Sequence, residues 1–237
     1  TFLRDWAKTL GDNLRSRDAL WKSLKFAVDF TDEEGNVVVH PDLTQFGNPE
    51  AVLYCGHQGV YWNDPVLLEL IRQHKLRPDV AVFPAGTIGD EYVRTEGHHH
   101  LSGLPEVYET IYGRNGYLLF KTVSEDSEDI EDVVFVFAEA GDHTIFPPGY
   151  QHININIGET AFVMTDWVSI EAHSDFKYIK RHNGAPYWVV KGEDERPQFV
   201  RNPRYKGRVP AIRLVRPAPE IPEFGLKKGE PMFNLVR

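Results

Sequence analysis

Imidazole is a favoured ligand for divalent transition metals, and residues 98–100 supply three in a row within RTEGHHHLSGLPEVYETIYGRNG. The run is internal and leads into a patterned segment, so it is not a terminal purification tag. On an extended strand, residues two apart share a face. His98 and His100 can therefore point together while His99 points away. A carboxylate and a third imidazole would complete a four-ligand set. Glu106 follows after the turn sequence LSGL, and His152 follows the Pro148-Gly149 turn in FPPGYQHININIG. There His152, Asn154 and Asn156 alternate with isoleucines, as a polar face turned inward against an apolar outer face would require. A polar row inside a barrel is costly unless something occupies it. An isolated His-x-His is weak evidence, and a solvated run is the competing reading; the distant Glu and His tip the balance toward metal.

Such a set needs strands to carry it. From about residue 78 onward, the runs VAVFP, GYLLFKTV, DVVFVFA, HTIFPPG, HININIG, TAFVMTDWV and PYWVVKG are branched and aromatic, separated by Gly, Pro and Asn. That spacing predicts a sandwich or barrel. The acidic run Ser124–Asp132 reads as a solvated hairpin loop. Before the strands, NDPVLLELIRQHKL predicts a helix near 64–76, with Asp64 as cap, Pro65 in the first turn, and Val66, Leu67, Leu70 and Ile71 as its buried stripe. Phe2, Trp6, Leu10 and Leu14, then Leu20, Leu24 and Phe26, predict one or two more amphipathic helices, with Trp6 and Trp21 in a core or interface. The organisation expected is one structural domain: an N-terminal helical and extended region over 1–77, a barrel over 78–206, and an extended Pro-rich tail over 207–237.

With 237 residues, 41% hydrophobic and 26% charged, the chain is of ordinary globular composition. A net charge of −9 leaves no electrostatic footprint for nucleic acid or an anionic membrane. No apolar run approaches a membrane span. The single cysteine, Cys55, rules out an intrachain disulfide and reads as a small buried residue in a reducing compartment, so the cytoplasm is expected. His57, His74, His143 and His182 have no partner pattern and read as structural or solvated.

The set Gly97, His98, His100, Glu106, Gly113, Pro148-Gly149 and His152 resembles the two motifs of the cupin family. EYVRTEGHHH, PEVYETIYGRNGYLL, FPPGYQHININIGETAFVM and NPRYK together resemble the cupin-type glucose-6-phosphate isomerases, the metal-dependent class of archaea and some bacteria, from about Val80 to Lys206. The resemblance implies a mainly β fold, the cupin jelly-roll barrel or double-stranded β-helix, and a homodimer. It places one divalent metal (Fe2+, Mn2+, Zn2+ or Ni2+) on His98, His100, Glu106 and His152, and makes Glu106 the proton-transfer base. It sets Tyr108 and His173 at the sugar, and Thr95 and Gly97 at its phosphate. Strand parity opposes the last pair, because Thr95 and Gly97 would face away from His98 unless the chain breaks at Gly97.

Three departures bear on the substrate. The His100–Glu106 spacing is one residue shorter than in the archaeal members, Trp167 stands where they carry a tyrosine, and Ala81 stands where a phosphate-binding threonine is expected. The function implied is interconversion of glucose 6-phosphate and fructose 6-phosphate. The alternatives are isomerisation of unphosphorylated sugars, an iron dioxygenase on the same ligand set, or a sugar-binding cupin without turnover.

Overall fold

The computed structural model describes residues 54–60 and 65–236, apart from the single positions 102, 126 and 195. The helices expected within 1–30, with Trp6 and Trp21, and the Asp64 cap lie outside the described residues, as do the side chains of Cys55 and His57.

The branched and aromatic runs become strands that form two antiparallel sheets facing each other. The first sheet has the order β1 (Cys55–His57), β2 (Leu76–Phe83), β11 (Phe162–Ser169), β6 (Glu106–Tyr112) and β9 (His143–Phe146). The second has β10 (Gln151–Asn156), β7 (Arg114–Thr122) and β8 (Ile130–Glu139), with β15 (Arg213–Val215) added in parallel at its edge. Side-chain alternation sends Ala81, Phe83, Tyr108, Tyr117, Leu119, Val134, Phe146, Phe162 and Met164 into one shared interior. The result is a jelly-roll barrel of the cupin type. The acidic run bridges β7 and β8, with most of its carboxylates exposed.

Both outer faces are covered by the chain itself. Ile153, Ile155 and Ile157 pack with Leu118, Phe120 and Phe135 beneath a layer made by α2 (Lys177–His182), β13 (Tyr187–Lys191), β14 (Pro197–Arg201) and Tyr205. On the other side, α1 (Pro65–Gln73) and a C-terminal 3-10 turn (Met232–Val236) cover Val107 and Trp167. Within α1 only Leu67 and Ile71 of the expected stripe are fully buried, against Val107 and Trp167; Val66 is 71% exposed.

Candidate metal centre

Each putting-together of the site is a backbone event. The hydrogen bonds His98 N–H to His152 O (3.2 Å) and His152 N–H to His98 O (2.9 Å) make these two residues a direct cross-strand pair. Their rings then sit on one side, centroids 4.4 Å apart. Gly97, at φ +90°, breaks the extended chain just before, which resolves the parity conflict. His100 lies on the short strand β5 (His99–His100), clamped by β12 (Ser174–Asp175). Glu106 opens β6 opposite Phe146 of β9, pointing inward beneath the histidines. One ligand atom from each of His98, His100, Glu106 and His152 lies within 4.8 Å of all the others.

The donor set fits a cation. His100 Nε2 is 2.8 Å from Glu106 Oε2, and His152 Nε2 is 3.4 Å from the same oxygen. His152 Nε2 is buried with no hydrogen-bond partner, and so is His100 Nδ1. Burial pushes His152 down to about 4, against the pull of Glu106, and pushes His98 well below the usual histidine range, with the His152 charge acting the same way. Neutral imidazoles beside a carboxylate are the protonation states a divalent metal requires. Burial alone would raise the Glu106 carboxyl. The hydrogen bond accepted from His100 and the favourable electrostatics of the neighbouring imidazoles outweigh it and hold Glu106 below the carboxylate range.

Around this set the remaining expected residues divide. Tyr108 is buried, its ring stacked on Phe146 at 4.0 Å and edge-on to His152 at 6.1 Å. Burial, with the Glu106 and Asp166 charges adding to it, pushes that phenol well above its ordinary range. Thr95 is half-buried and its hydroxyl accepts the Asn154 N–H at 3.1 Å. Gly97 is closed in: a Cβ there would lie 2.4 Å from Ile153 Cγ1 and 2.9 Å from His152 O. His173 is exposed, outside the four-residue cluster, with its carbonyl accepting the Leu101 N–H. Ala81 sits in the apolar interior beside Phe83 and Met164. Trp167 does not face the site; it packs outward against Leu67, Ile71, Val107 and Met232.

The residue one place before Trp167 was missed by the sequence reading. Asp166 lies opposite Tyr108 on β6 and opposite Asp79 on β2, on the inward face. Burial pushes it well above the carboxylate range, and the Glu106 and Asp79 charges push the same way. Asp79 is held by a bidentate Arg77 guanidinium at 2.8–3.1 Å and by the Gly59 N–H at 2.9 Å. The available signal was a lone charged residue at the parity of Phe162 and Met164 in FVMTDWVS. Leu104, Phe146, Pro147, Gly149 and Tyr150, with His100, Glu106 and His152, line a partly open cleft at this cluster.

A jelly-roll barrel with three histidines and one glutamate gathered at one open end defines a cupin with a metal-ready site. The chain matches the family described as Glucose-6-phosphate isomerase (GPI) over residues 65–205, more than half its length, and belongs to that family. It is similar to the glucose-6-phosphate isomerase of Pyrococcus furiosus, 28% identical over 150 residues covering 60% of this chain and 75% of the relative. It is similar also to that of Sinorhizobium medicae, 31% identical over 54% of this chain and 60% of the relative, and of Thermococcus litoralis, 27% identical over 60% and 74%.

Proposed function

We propose that the chain interconverts an aldose and a ketose, most specifically glucose 6-phosphate and fructose 6-phosphate, with one divalent transition metal (Fe2+, Mn2+, Zn2+ or Ni2+) on His98, His100, Glu106 and His152. The observation that carries the reading is the convergence of those four side chains at a partly open cleft, in a chain of the isomerase family. When bound, the metal supplies Lewis-acid polarisation of the sugar oxygens at C1 and C2.

The chain's own groups do the rest. Glu106 takes the proton from C2 and returns it at C1, through a cis-enediol. Tyr108, stacked on Phe146 beside His152, faces the sugar by its place in the family motif. Leu104, Phe146 and Tyr150 exclude water from the reacting carbons. His173 faces the sugar and Thr95 its phosphate, by their place in the family motif. A carboxylate held this low is a weak base, so a hydride shift between C1 and C2 is the rival route. Solvent deuterium entering C2 supports proton transfer; complete retention of the original hydrogen excludes it.

A second reading is favoured by one feature. At the family's phosphate positions, Ala81 is apolar and Gly97 can offer only its backbone, so Thr95, whose hydroxyl already accepts the Asn154 N–H, is the one side chain of the three that brings a donor. An isomerase of unphosphorylated sugars is the reading that follows. A coupled assay of fructose 6-phosphate to glucose 6-phosphate, with and without chelator, tests the first; the same assay on free fructose and glucose tests the second. A homodimer in the cytoplasm, expected from the resemblance and from the lone cysteine, is carried as part of this proposal and is measured by sedimentation of the purified chain and by fractionation.

A further inference from the structure

β10 follows the Pro148-Gly149 turn at the cleft and runs into the barrel with every second side chain turned inward. Tyr150 and His152 line the cleft, and Asn154 is the next inward residue, about 7 Å further along the strand. Asn154 and Asn156 share that face, but their amides are served very differently. Asn156 donates to the carbonyls of Phe83, Pro84 and Thr160 at 2.9–3.2 Å and accepts the Gly158 N–H at 2.9 Å, so it clamps the backbone. Asn154 is just as buried, at 4% exposure, yet its amide nitrogen is aimed at the Met164 sulfur at 3.9 Å, a weak acceptor. Its Oδ1 has no hydrogen-bond partner among the described residues. A thioether can accept but has no hydrogen to give, so the oxygen is the end of the amide turned away from Met164. A buried acceptor left unmet costs stability, and an aliphatic side chain would fill the place without that loss. The position itself is fixed: Thr95 N–H donates to Asn154 O at 2.9 Å, and Asn154 N–H to Thr95 Oγ1 at 3.1 Å.

We propose that Asn154 is a specificity-determining residue: its Oδ1 accepts a hydrogen bond from a hydroxyl on the sugar's carbon chain beyond C2. The inference deepens the isomerase reading of the site and rests on it. The missing partner must bring a hydrogen, which a hydroxyl does and a phosphate dianion does not. With C1 and C2 at the four-residue cluster, the step from His152 to Asn154 sets the amide against C3 to C5 and not against the reacting pair. Met164 is unbranched and adaptable, and it is the side chain that gives way as the sugar enters. A site built to pair with a hydroxyl selects against a sugar that lacks it, because the buried acceptor is then left unmet.

The test is steady-state kinetics of the full chain on its ketose, fructose 6-phosphate or fructose, and on the analogues deoxygenated at C3, C4 or C5. Asn154→Leu keeps the branched shape and removes the acceptor. Its kcat/KM on the parent sugar should fall about 3- to 10-fold, mostly through KM. On the analogue that lacks the bonded hydroxyl, the leucine variant and the unaltered chain should differ by less than about twofold, since no bond is left to lose. The leucine variant should also melt at or above the temperature of the unaltered chain, because the unmet acceptor is gone. Asn154→Val, which has no acceptor either, serves if the leucine variant does not fold. An acceptorless variant with unchanged kcat/KM on the parent sugar overturns the proposal. So does an equal loss on the parent and all three analogues, which would make Asn154 a packing residue or the seat of an ordered water. If the unaltered chain turns over neither ketose, the isomerase reading itself fails, and this inference with it.

Discussion

Glu106 and His152 hold most of the chemistry in the fewest atoms, and both are buried. Replacing Glu106 by Gln keeps the shape and one oxygen but removes the base; isomerase turnover should drop by about 10²- to 10⁴-fold in a coupled assay while KM changes far less. His152 also makes a stability prediction. Its pKa is depressed in the fold to about 4, below the ordinary imidazole value of 6.5, so between those values the unfolded chain binds the proton that the folded one refuses. Stability without metal should therefore be fully present above about pH 6.5 and decline as pH falls toward 4. The slope from this one group is at most about 1.4 kcal/mol per pH unit. Thermal melting of chelator-treated chain checks it: a His152→Gln variant should show a flatter decline over that window, and equal slopes would remove His152 as the cause. Glu106 acts in the same sense at lower pH: its depressed carboxyl stabilises the fold at and above the ordinary carboxylate range, and that contribution is lost as pH falls below it.

At the scale of elements, Gly97 and Trp167 separate what was legible from what was not. The break at Gly97 could be inferred from parity alone, because Thr95 and His98 cannot both use one face of an unbroken strand. Gly97→Ala should destabilise by about 2 kcal/mol or more, since the left-handed φ and the contact with Ile153 both oppose a Cβ. Denaturant unfolding measures this, and a shift below half a kcal/mol would mean that β5 relaxes freely. The strands β2, β7, β8, β9, β10, β11 and β13 were readable as branched and aromatic runs, since a strand buried on both faces needs little else. The four-residue cluster was readable because His-x-His, Glu and His sit at strand and turn spacings. The short helix α2 was not, because its six residues carry too little periodicity and it forms only against the outer face of β10. Register was the weak point: a one-residue offset along β11 put Trp167 at the site instead of Asp166. Trp167→Ala should cost about 3–5 kcal/mol by emptying the outer cluster, whereas Trp167→Phe should leave KM unchanged. A raised KM for the phenylalanine variant would return Trp167 to the substrate side.

For the whole molecule, charge sets a test that no single residue could. The chain carries −9, and a sugar phosphate arrives as an anion. Among the described residues, the cations near the cleft lip are matched: Lys121 pairs with Glu131 at 2.9 Å, and the Arg213 fork closes on Asp132, which also accepts the Tyr150 hydroxyl. The rim therefore offers no large positive field to offset the molecule's own. Exposed charges are felt within about 8 Å at physiological salt and much further when salt is dilute. Repulsion of a phosphorylated substrate should thus weaken as salt is added, and kcat/KM should rise between about 10 and 150 mM ionic strength. An unphosphorylated sugar has no charge to screen, so its kcat/KM should stay flat across the same range. Comparing the two slopes on one preparation separates electrostatic approach from any general effect of salt on the fold. A kcat/KM that falls with salt for the phosphorylated sugar would mean that the metal and the rim lysine and arginine together outweigh the acidic surface, and that the cleft attracts phosphate despite its walls.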